Sequence, residues 1–375
     1  MAAPHQASNL AANPFTPVFG KVPPYLAGRG ELIQDILDAF EHPDNNPNRC
    51  TLFVGARGTG KTALLTYLAD EAQHMGWVTA NVTASRTILD DIWQQSVAAS
   101  AHLLPESPRR TLTSIGIGSV GSLSWETHAP APGNWRSRMS GLIDQLNEHA
   151  CGLLITVDEI DPSLDGMTEL VTTYQHFVRE DRRVILLMAG LPHHVSNLLS
   201  GKSTSFIRRA ARHDLGSIPA YEAREAFRLT TEQGGKTIDD EALSAAIEAI
   251  DGFPFMFQLV GYRSWNAAGN RTTIELEDVV RGSAVAQEEL ISRVLDATIS
   301  ELSPADIRFL KAMAHDDGLT RQADLKERLG KPSSHVSTYK KRLLEAGAIE
   351  ETRRGILRFA LPGLREYLRS QRVSS

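Results

Sequence analysis

The chain has 375 residues, of which 42% are hydrophobic, and its 39 Lys and Arg against 45 Asp and Glu give a net charge of −6. This length predicts two or three domains, each able to bury a core. No apolar run approaches the roughly 18 residues of a membrane span, the N-terminus lacks the basic and apolar segments of a secretory signal, and two cysteines exclude a multi-disulfide framework. We therefore expect a cytoplasmic protein with no membrane partner.

The charge is unevenly distributed along the chain. Residues 301–375 hold 15 Lys and Arg against 10 Asp and Glu, whereas residues 1–300 hold 24 against 35. A basic C-terminal part on an acidic body indicates an anionic partner at that end of the chain.

The first elements in chain order are a flexible segment, a helix and a strand. Residues 1–20 are rich in Ala, Asn and Pro without periodicity, which predicts a flexible N-terminus. From about Glu31, apolar residues recur at helical spacing as far as Phe40, and a cluster of turn residues at 42–48 ends this helix. The apolar run at 51–54 then predicts a strand.

A glycine-rich loop follows this strand and is the strongest motif in the chain. It has the G-x-x-x-x-G-K-T spacing of phosphate-binding loops and consists of Gly55, Ala56, Arg57, Gly58, Thr59, Gly60, Lys61 and Thr62. Its glycines allow backbone N–H groups to point at phosphate oxygens, and the helix predicted after it adds the positive end of a dipole. Lys61 is expected to reach the β- and γ-phosphates, and the Thr62 hydroxyl to bind Mg²⁺. The loop predicts a nucleotide-binding protein.

Strands and helices then alternate. A second buried strand is predicted at 76–82, followed by helices at 86–104 and 135–149. Between these helices, residues 111–133 contain Gly, Ser and Pro with alternating apolar positions, and predict either a β-hairpin insertion or a mobile loop.

A second candidate site motif is the pair of acids that ends the apolar run at 152–157. A continuous apolar run is typical of a strand buried on both faces of a parallel sheet, and ligands bind at the carboxyl ends of such strands. In a phosphate-loop enzyme Asp158 would hold Mg²⁺, directly or through water, and Glu159 would polarise the attacking water. An acidic turn without function is the alternative, which the preceding phosphate loop disfavours.

A helix at 167–179 and a strand at 183–190 complete an α/β pattern, which predicts a doubly wound parallel sheet, the core of a P-loop NTPase. Beyond it, residues 206–215 contain Arg208, Arg209 and Arg212. Such arginines can supply a positive charge to the γ-phosphate of a neighbouring subunit, which makes Arg208 and Arg209 candidate catalytic residues. The alternative is the solvated basic face of a helix.

The remainder of the chain predicts two further domains. Residues 220–300 read as a small helical lid of four helices separated by glycine-containing turns. The last 75 residues predict two helices, a tight turn, a third helix at 333–344 and a hairpin at 348–359 with a basic tip, which is the order of a C-terminal winged helix-turn-helix.

In a winged helix, the early residues of the third helix face the major groove of DNA, and hairpin arginines contact phosphates or the minor groove. The candidate DNA-binding residues are Ser334, His335, Ser337, Thr338, Lys341, Arg353 and Arg354. Many winged helices contact protein instead, and that alternative stays open.

Taken together, these features resemble the AAA+ ATPases, in particular the archaeal-type ATPases and the origin-recognition initiators, with the STAND signalling ATPases as neighbours. The resemblance covers roughly residues 22–370 and rests on residues 25–31, the phosphate loop, the acids at 158 and 159, the lid and the winged helix. It implies ATP as the nucleotide, an adenine pocket between residues 25–29 and the lid, and self-association on ATP binding. Tyr25 and Pro254 would contact the nucleotide.

Two departures from that family pattern concern the rate of hydrolysis. The strand at 183–190 runs into Leu191 and Pro192 without the polar residue usual in AAA+ enzymes. The lid has no clear arginine for the nucleotide and instead contains Gly252, Phe253 and Pro254, which look like the G-x-P element of STAND proteins. Both departures favour a slow switch over fast, ring-coupled hydrolysis.

The sequence therefore predicts four parts: a flexible N-terminus (1–20), an ATPase core (21–217), a helical lid (218–300) and a winged helix-turn-helix (301–375). The leading hypothesis is an ATP- and Mg²⁺-dependent switch that acts on double-stranded DNA. The alternative is a STAND-like signalling ATPase whose winged helix contacts protein. A nucleotide-binding scaffold without turnover is disfavoured because Lys61, Thr62, Asp158 and Glu159 are all present.

Overall fold

The computed structural model of the protein describes residues 12–18, 20–104, 134–201, 204–300 and 302–370. The insertion predicted at 111–133 lies outside the described residues. The helices are α1 (Gly30–Glu41), α2 (Lys61–His74), α3 (Ile88–Ser100), α4 (Trp135–Glu148), α5 (Asp165–Arg179), α6 (Pro192–Ser200), α7 (Ala220–Gln233), α8 (Asp240–Ile250), α9 (Pro254–Ala268), α10 (Leu276–Leu290), α11 (Asp296–Ser300), α12 (Pro304–Met313), α13 (Gln322–Leu329), α14 (Ser333–Glu345) and α15 (Leu364–Ser370). The strands are β1 (Cys50–Val54), β2 (Val78–Thr83), β3 (Leu153–Asp158), β4 (Val184–Gly190), β5 (Ala211–Asp214), β6 (Thr237–Ile238), β7 (Thr273–Ile274), β8 (Thr320–Arg321), β9 (Ile349–Arg353) and β10 (Ile356–Phe359).

The first five strands form one parallel sheet in the order β2-β3-β4-β1-β5. All residues of β4 are buried, because helices cover both faces of the sheet. On one face α3, α4 and α5 pack through residues such as Ile92, Met139 and Leu170. On the other face α1 and α2 pack through Phe40 and Leu68. The predicted α/β fold with a doubly wound parallel sheet is confirmed.

The strand β5 at the sheet edge was not predicted. Residues 211–214 pair in parallel with β1, with Ala211 opposite Thr51, and alternate between half-buried and exposed positions. Arg208 and Arg209 precede it in a 3₁₀ helix. The basic helix face considered for residues 206–215 is therefore wrong for residues 211–214, whereas Arg208 and Arg209 are exposed on a short helix. An edge strand has a single pairing partner and here only one half-buried face, so its polar sequence carries no strong strand pattern.

A helical unit follows the sheet. Its helices α7 to α10 enclose their own apolar core, which includes Phe227, Leu243 and Leu259. Residues 220–300 were predicted to be purely helical, but β6 and β7 add a short parallel pair between the helices. The unit therefore matches the predicted lid in its helices and differs in this pair.

The N-terminal segment packs onto this helical unit. The Phe15 side chain is 1% exposed, and its ring centroid lies 4.9 Å from that of Phe227. The amide of Asn13 donates to the carbonyl of Tyr262 at 3.1 Å, and Gln258 accepts from the backbone of the neighbouring Thr16 at 2.8 Å. The predicted flexible N-terminus at 1–20 is therefore wrong for residues 13–16. A segment without periodicity gave no sign that one of its side chains, Phe15, would be buried against a distant part of the chain.

A C-terminal unit, residues 302–370, has a third core. Its helices α12, α13 and α14 pack with the antiparallel sheet β8-β10-β9 around residues that include Phe309, Leu325 and Leu357. The Arg342 guanidinium on α14 pairs with the buried Asp306 on α12 at 2.6 Å. The order of three helices and a hairpin agrees with the prediction, whereas β8 and α15 were not predicted. No helix in the described ranges is long and apolar enough to cross a membrane.

Candidate nucleotide-binding site

The glycine-rich loop forms a curved backbone between β1 and α2. Gly58 and Gly60 have φ values of 80° and 85°, in the left-handed region that favours glycine. Gly60 is also the N-cap of the 14-residue helix α2, and no side chain caps the start of that helix. The N–H groups at the helix start are therefore free of side-chain acceptors, and they and the helix dipole suit an anion such as phosphate.

The Lys61 side chain folds back into this loop. Its Nζ donates to the carbonyls of Gly55 at 2.9 Å and Ala56 at 2.7 Å. Burial lowers the pKa of Lys61 to about 8, although Asp158 and Glu159 favour the charged form. Two backbone carbonyls thus hold the ammonium in this structure. Charged phosphate oxygens would be stronger hydrogen-bond acceptors for it than these neutral carbonyls.

The predicted metal ligands lie together at the end of β3. The Thr62 hydroxyl donates to Oδ2 of Asp158 at 2.5 Å, and Oδ1 of Asp158 accepts from the backbone N–H of Glu159 at 2.9 Å. Among the residues that the structure describes, no group of three or more His, Cys, Asp or Glu is placed to hold a metal ion. A Mg²⁺ ion at Thr62 and Asp158 would therefore depend on phosphate and water oxygens for its other ligands, as Mg²⁺ commonly does.

Glu159 lies directly after the strand with a φ of 52° and an exposed side chain. Few residues other than glycine adopt this conformation, and those that do cluster at functional sites. The exposed carboxylate next to Asp158 suits the predicted activation of water.

A cavity of about 470 Å³ lies beside the loop, and three parts of the chain line it. The core contributes Gly55, Ala56 and Thr59 together with the end of β5. The helical unit contributes Phe253 and Pro254, and the C-terminal unit contributes parts of β9 and β10. The nucleotide loop is therefore bordered by all three units.

Phe253 is a site residue to which sequence reasoning gave no role of its own. A Cβ atom built on Gly58 would lie 2.5 Å from Cζ of Phe253, so only glycine fits beneath this ring. The next residue, Pro254, lies 4.0 Å from a Cβ built on Gly60. The signal was present in the sequence as residues 252–254, but nothing in it indicated that the ring would cover the loop.

The segment predicted to border the adenine lies along the connection between the core and the helical unit. A Cβ built on Gly28 would be 3.3 Å from Cγ2 of Ile218, and the Arg29 guanidinium donates to the carbonyl of Gly216 at 2.8 Å. Tyr25 is 37% exposed and does not line the cavity. A contact between Tyr25 and the nucleotide stays a prediction.

The predicted catalytic arginines are not at the loop of their own chain. Arg208 and Arg209 are exposed, and Nε of Arg208 donates to the carbonyl of Leu199 at 2.7 Å. Arg212 does line the cavity and pairs with Asp214 at 2.8 Å. Action of Arg208 and Arg209 on a neighbouring subunit stays a prediction.

All seven predicted DNA-binding residues are exposed, five on α14 and two at the tip of the hairpin. Lys340 on α14 pairs with Glu351 on β9 at 3.0 Å, and Glu351 also accepts from the N–H of Gly355 at 2.6 Å. These contacts fix the helix and the hairpin relative to each other.

Comparisons with known proteins agree with this site. Residues 25–188 match the family model of the AAA ATPase domain, and residues 292–368 match that of a domain of unknown function. No curated protein sequence matches the chain.

Two similar solved structures are of the ORC2 protein of Aeropyrum pernix. Its ADPNP–ADP complexes have a TM-score of 0.62 at 13% identity, with 96% of this chain and 98% of that one covered. Its ADP form has a TM-score of 0.52 at 15% identity, with the same coverage. At these identities the similarity shows the fold. The match of residues 25–188 to the AAA ATPase domain, with the phosphate loop and the paired acids in place, identifies the protein as an ATPase.

Proposed function

We propose that the protein is an ATP-dependent switch that binds double-stranded DNA through its C-terminal unit. The observation that carries this proposal is the placement of α14. Its exposed face bears Ser334, His335, Ser337, Thr338 and Lys341. Its last residue, Glu345, contacts the ATPase core. One helix thus joins a DNA-facing surface to the part of the core that holds the nucleotide loop.

In this proposal the chain divides into an ATPase core (21–217), a helical lid (218–300) and a winged helix-turn-helix (301–375). ATP with Mg²⁺ binds at the loop between the core and the lid, and supplies the phosphoanhydride bond that is cleaved. The closed packing of the lid residues Phe253 and Pro254 on the loop supports this location.

The roles of the core residues follow from their positions. Lys61 exchanges the carbonyls of Gly55 and Ala56 for the β- and γ-phosphates, which neutralises their charge. Thr62 and Asp158 hold Mg²⁺, and Glu159 accepts the proton of the attacking water. With no polar side chain at Leu191 or Pro192, we expect hydrolysis to be slow.

The C-terminal unit contacts DNA through α14 and the hairpin. The early side chains of α14 enter the major groove, and Arg353 and Arg354 contact backbone phosphates. The excess of Lys and Arg in residues 301–375 supports an anionic partner for this unit. Self-association on ATP binding would bring Arg208 and Arg209 to the γ-phosphate of a neighbouring subunit.

The test is binding of a labelled DNA duplex by the full chain over a range of salt concentrations, together with ATP turnover with and without that duplex. We expect affinity to fall linearly with salt on a double logarithmic scale, and DNA to stimulate turnover. The double variant Arg353→Ala and Arg354→Ala should reduce the magnitude of the slope by about 2, since each phosphate contact adds about 0.9. Arg228→Ala, which removes a partly exposed arginine of the helical unit, is the control.

The second candidate is a STAND-like regulatory ATPase whose C-terminal unit contacts protein. The packing of Phe253 on Gly58 favours it, because Phe253 belongs to the G-x-P-like element at residues 252–254. DNA binding that is absent or independent of salt, with turnover indifferent to DNA, would overturn the first proposal in favour of the second.

A further inference from the structure

Residues 190–194, which comprise the last residue of β4, Leu191 and the start of α6 and are called here the 190–194 turn, contact both parts of the nucleotide site. The carbonyl of Gly190 accepts from the N–H of Gly55, the first residue of the phosphate loop, at 3.3 Å. A Cβ built on Gly190 would lie 2.4 Å from Cγ1 of Ile160, so the turn is packed closely against the segment that follows Asp158 and Glu159. The turn is thus hydrogen-bonded to the phosphate loop and closely packed against the acidic segment.

A second contact strengthens the attachment to that acidic segment. Nδ1 of His194 lies 2.9 Å from the carbonyl oxygen of Ile160, and the N–H of Ile160 donates to the carbonyl of Ala189 at 3.0 Å. The residues just before and within the turn are therefore hydrogen-bonded both to the phosphate loop and to the chain directly after the metal-binding acid.

The other side of the same turn contacts the end of α14. Nε2 of His193 lies 3.0 Å from Oε1 of Glu345 and 2.6 Å from the amide nitrogen of Asn197. The side chain of Leu191 lies 3.2 Å from a Cβ built on Gly347, which has a φ of 66°. The C-terminal unit thus contacts the turn through the polar pair His193–Glu345 and, beside it, the apolar contact of Leu191 with Gly347.

The state of this histidine favours a directional hydrogen bond. Burial lowers the pKa of His193, and Glu345 opposes that effect, while His194 and Lys341 lower the pKa further. The ring is therefore neutral at neutral pH and has one N–H to donate. Lys341 lies 3.8 Å from Glu345, and its exposed charge balances the carboxylate.

The helix α14 is continuous from its DNA-facing residues to Glu345, which suits it to carry a displacement from one end to the other. Its 13 residues span about 20 Å at 1.5 Å per residue, and its predicted DNA contacts other than Lys341 lie in its first two turns. A displacement of Glu345 at one end must therefore move or rotate the DNA-facing residues at the other end.

We propose that the 190–194 turn couples the nucleotide site to the DNA-facing end of α14, with His193 as a positioning residue that acts through Glu345. The proposal rests on the proposed function in its DNA readout. Residues 188–192 lack the polar side chain that would contact the nucleotide. In this proposal the turn instead moves with the phosphate loop and with the acidic segment, and this movement displaces α14.

The main experiment measures the affinity of the full chain for a DNA duplex without nucleotide and with a saturating non-hydrolysable ATP analogue and Mg²⁺. The ratio of the two affinities is the coupling factor, which is commonly 5- to 150-fold, roughly, in coupled systems. We expect His193→Ala and Glu345→Ala each to bring the ratio close to one. The double variant should lose no more than either single variant, because both remove the same contact.

The controls separate positioning from general damage to the fold. His193→Gln keeps a hydrogen-bond donor at this position and should restore at least part of the ratio. His42→Ala removes an exposed histidine–carboxylate contact with Asp38 at the end of α1, at 3.4 Å, and should leave the ratio unchanged. A wild-type ratio that persists in His193→Ala and Glu345→Ala would overturn the proposal.

A second readout needs no DNA, and it distinguishes failure of the coupling from failure of the proposed function. Amide hydrogen exchange of residues 333–345 is followed with and without the ATP analogue. If the wild type binds no DNA but its nucleotide-dependent exchange in α14 disappears in His193→Ala, the coupling stands and the DNA function is wrong. If nucleotide leaves the exchange of α14 unchanged in the wild type, the coupling is wrong.

Discussion

The lysine of the phosphate loop makes nucleotide affinity depend on pH in a range where few other groups of the site titrate. Burial lowers the pKa of Lys61 to about 8 in the free protein. The negative charge of bound phosphates favours the ammonium and raises that pKa again. Binding at high pH must therefore include uptake of a proton, and affinity falls as pH rises through the free-state value.

The size of the effect follows from the two pKa values of Lys61. With a free-state pKa of about 8 and a bound-state pKa near the usual value of about 10.4, the affinity drops about tenfold from about pH 7 to about pH 9. Four groups whose ordinary pKa values lie close to this range are shifted away from it. Burial raises the pKa of Cys50 to about 12 and also raises that of Cys151, while burial lowers the pKa of His193 and His213.

The assay is titration of the protein with a fluorescent ATP analogue and Mg²⁺ at several pH values, with circular dichroism as a check that the fold is unchanged. Lys61→Ala should lose nucleotide binding altogether, and retained affinity in that variant would contradict the assignment of the loop. An affinity that is constant or rises between about pH 7 and about pH 9 would refute the reasoning, because a neutralised Lys61 must weaken binding.

Two further predictions concern packing. Gly58→Ala places a Cβ 2.5 Å from Cζ of Phe253, in a left-handed conformation that costs about 1–2 kcal/mol, so nucleotide titration should show at least about tenfold weaker binding. Gly76→Ala is the control, because Gly76 has a similar φ with open space around it, and this variant should bind nucleotide normally. Equal nucleotide affinity of the two variants would contradict this view of the loop. Phe15→Ala should lower the free energy of unfolding in urea by about 3–5 kcal/mol, whereas Val18→Ala, at a 58% exposed position, should change it little; equal midpoints would show that the N-terminal segment is not an anchor.

Much of the core fold was predictable because its signals are local. The apolar runs that became β1, β3 and β4 are continuous, as strands buried on both faces require. β5 was missed because an edge strand with alternating exposure reads as a polar segment. The helices α6 and α15 were also missed.

In the nucleotide site too, features with a local sequence signal were predicted and contacts between distant residues were not. The spacing of the loop residues and the adjacency of Asp158 and Glu159 are covalent properties, so the sequence predicted Thr62 and Asp158 as partners in one site, and the structure places them 2.5 Å apart. The assigned roles of these residues stay predictions. Phe253 lies almost two hundred residues after Gly58, and only the packing of the helical unit onto the core decided that the two would touch.

The sequence by itself determined the phosphate loop, its acidic partner and the order of helices and strands, because these depend on neighbours in the chain and on the burial of one face or two. Only the tertiary structure decided that Phe15 is an anchor and that the C-terminal unit docks on the 190–194 turn through Glu345. Contacts between distant segments depend on the shape and chemistry of two surfaces at once. No local pattern encodes that pairing, so a single buried ring or one histidine–carboxylate contact becomes visible only once the chain is folded.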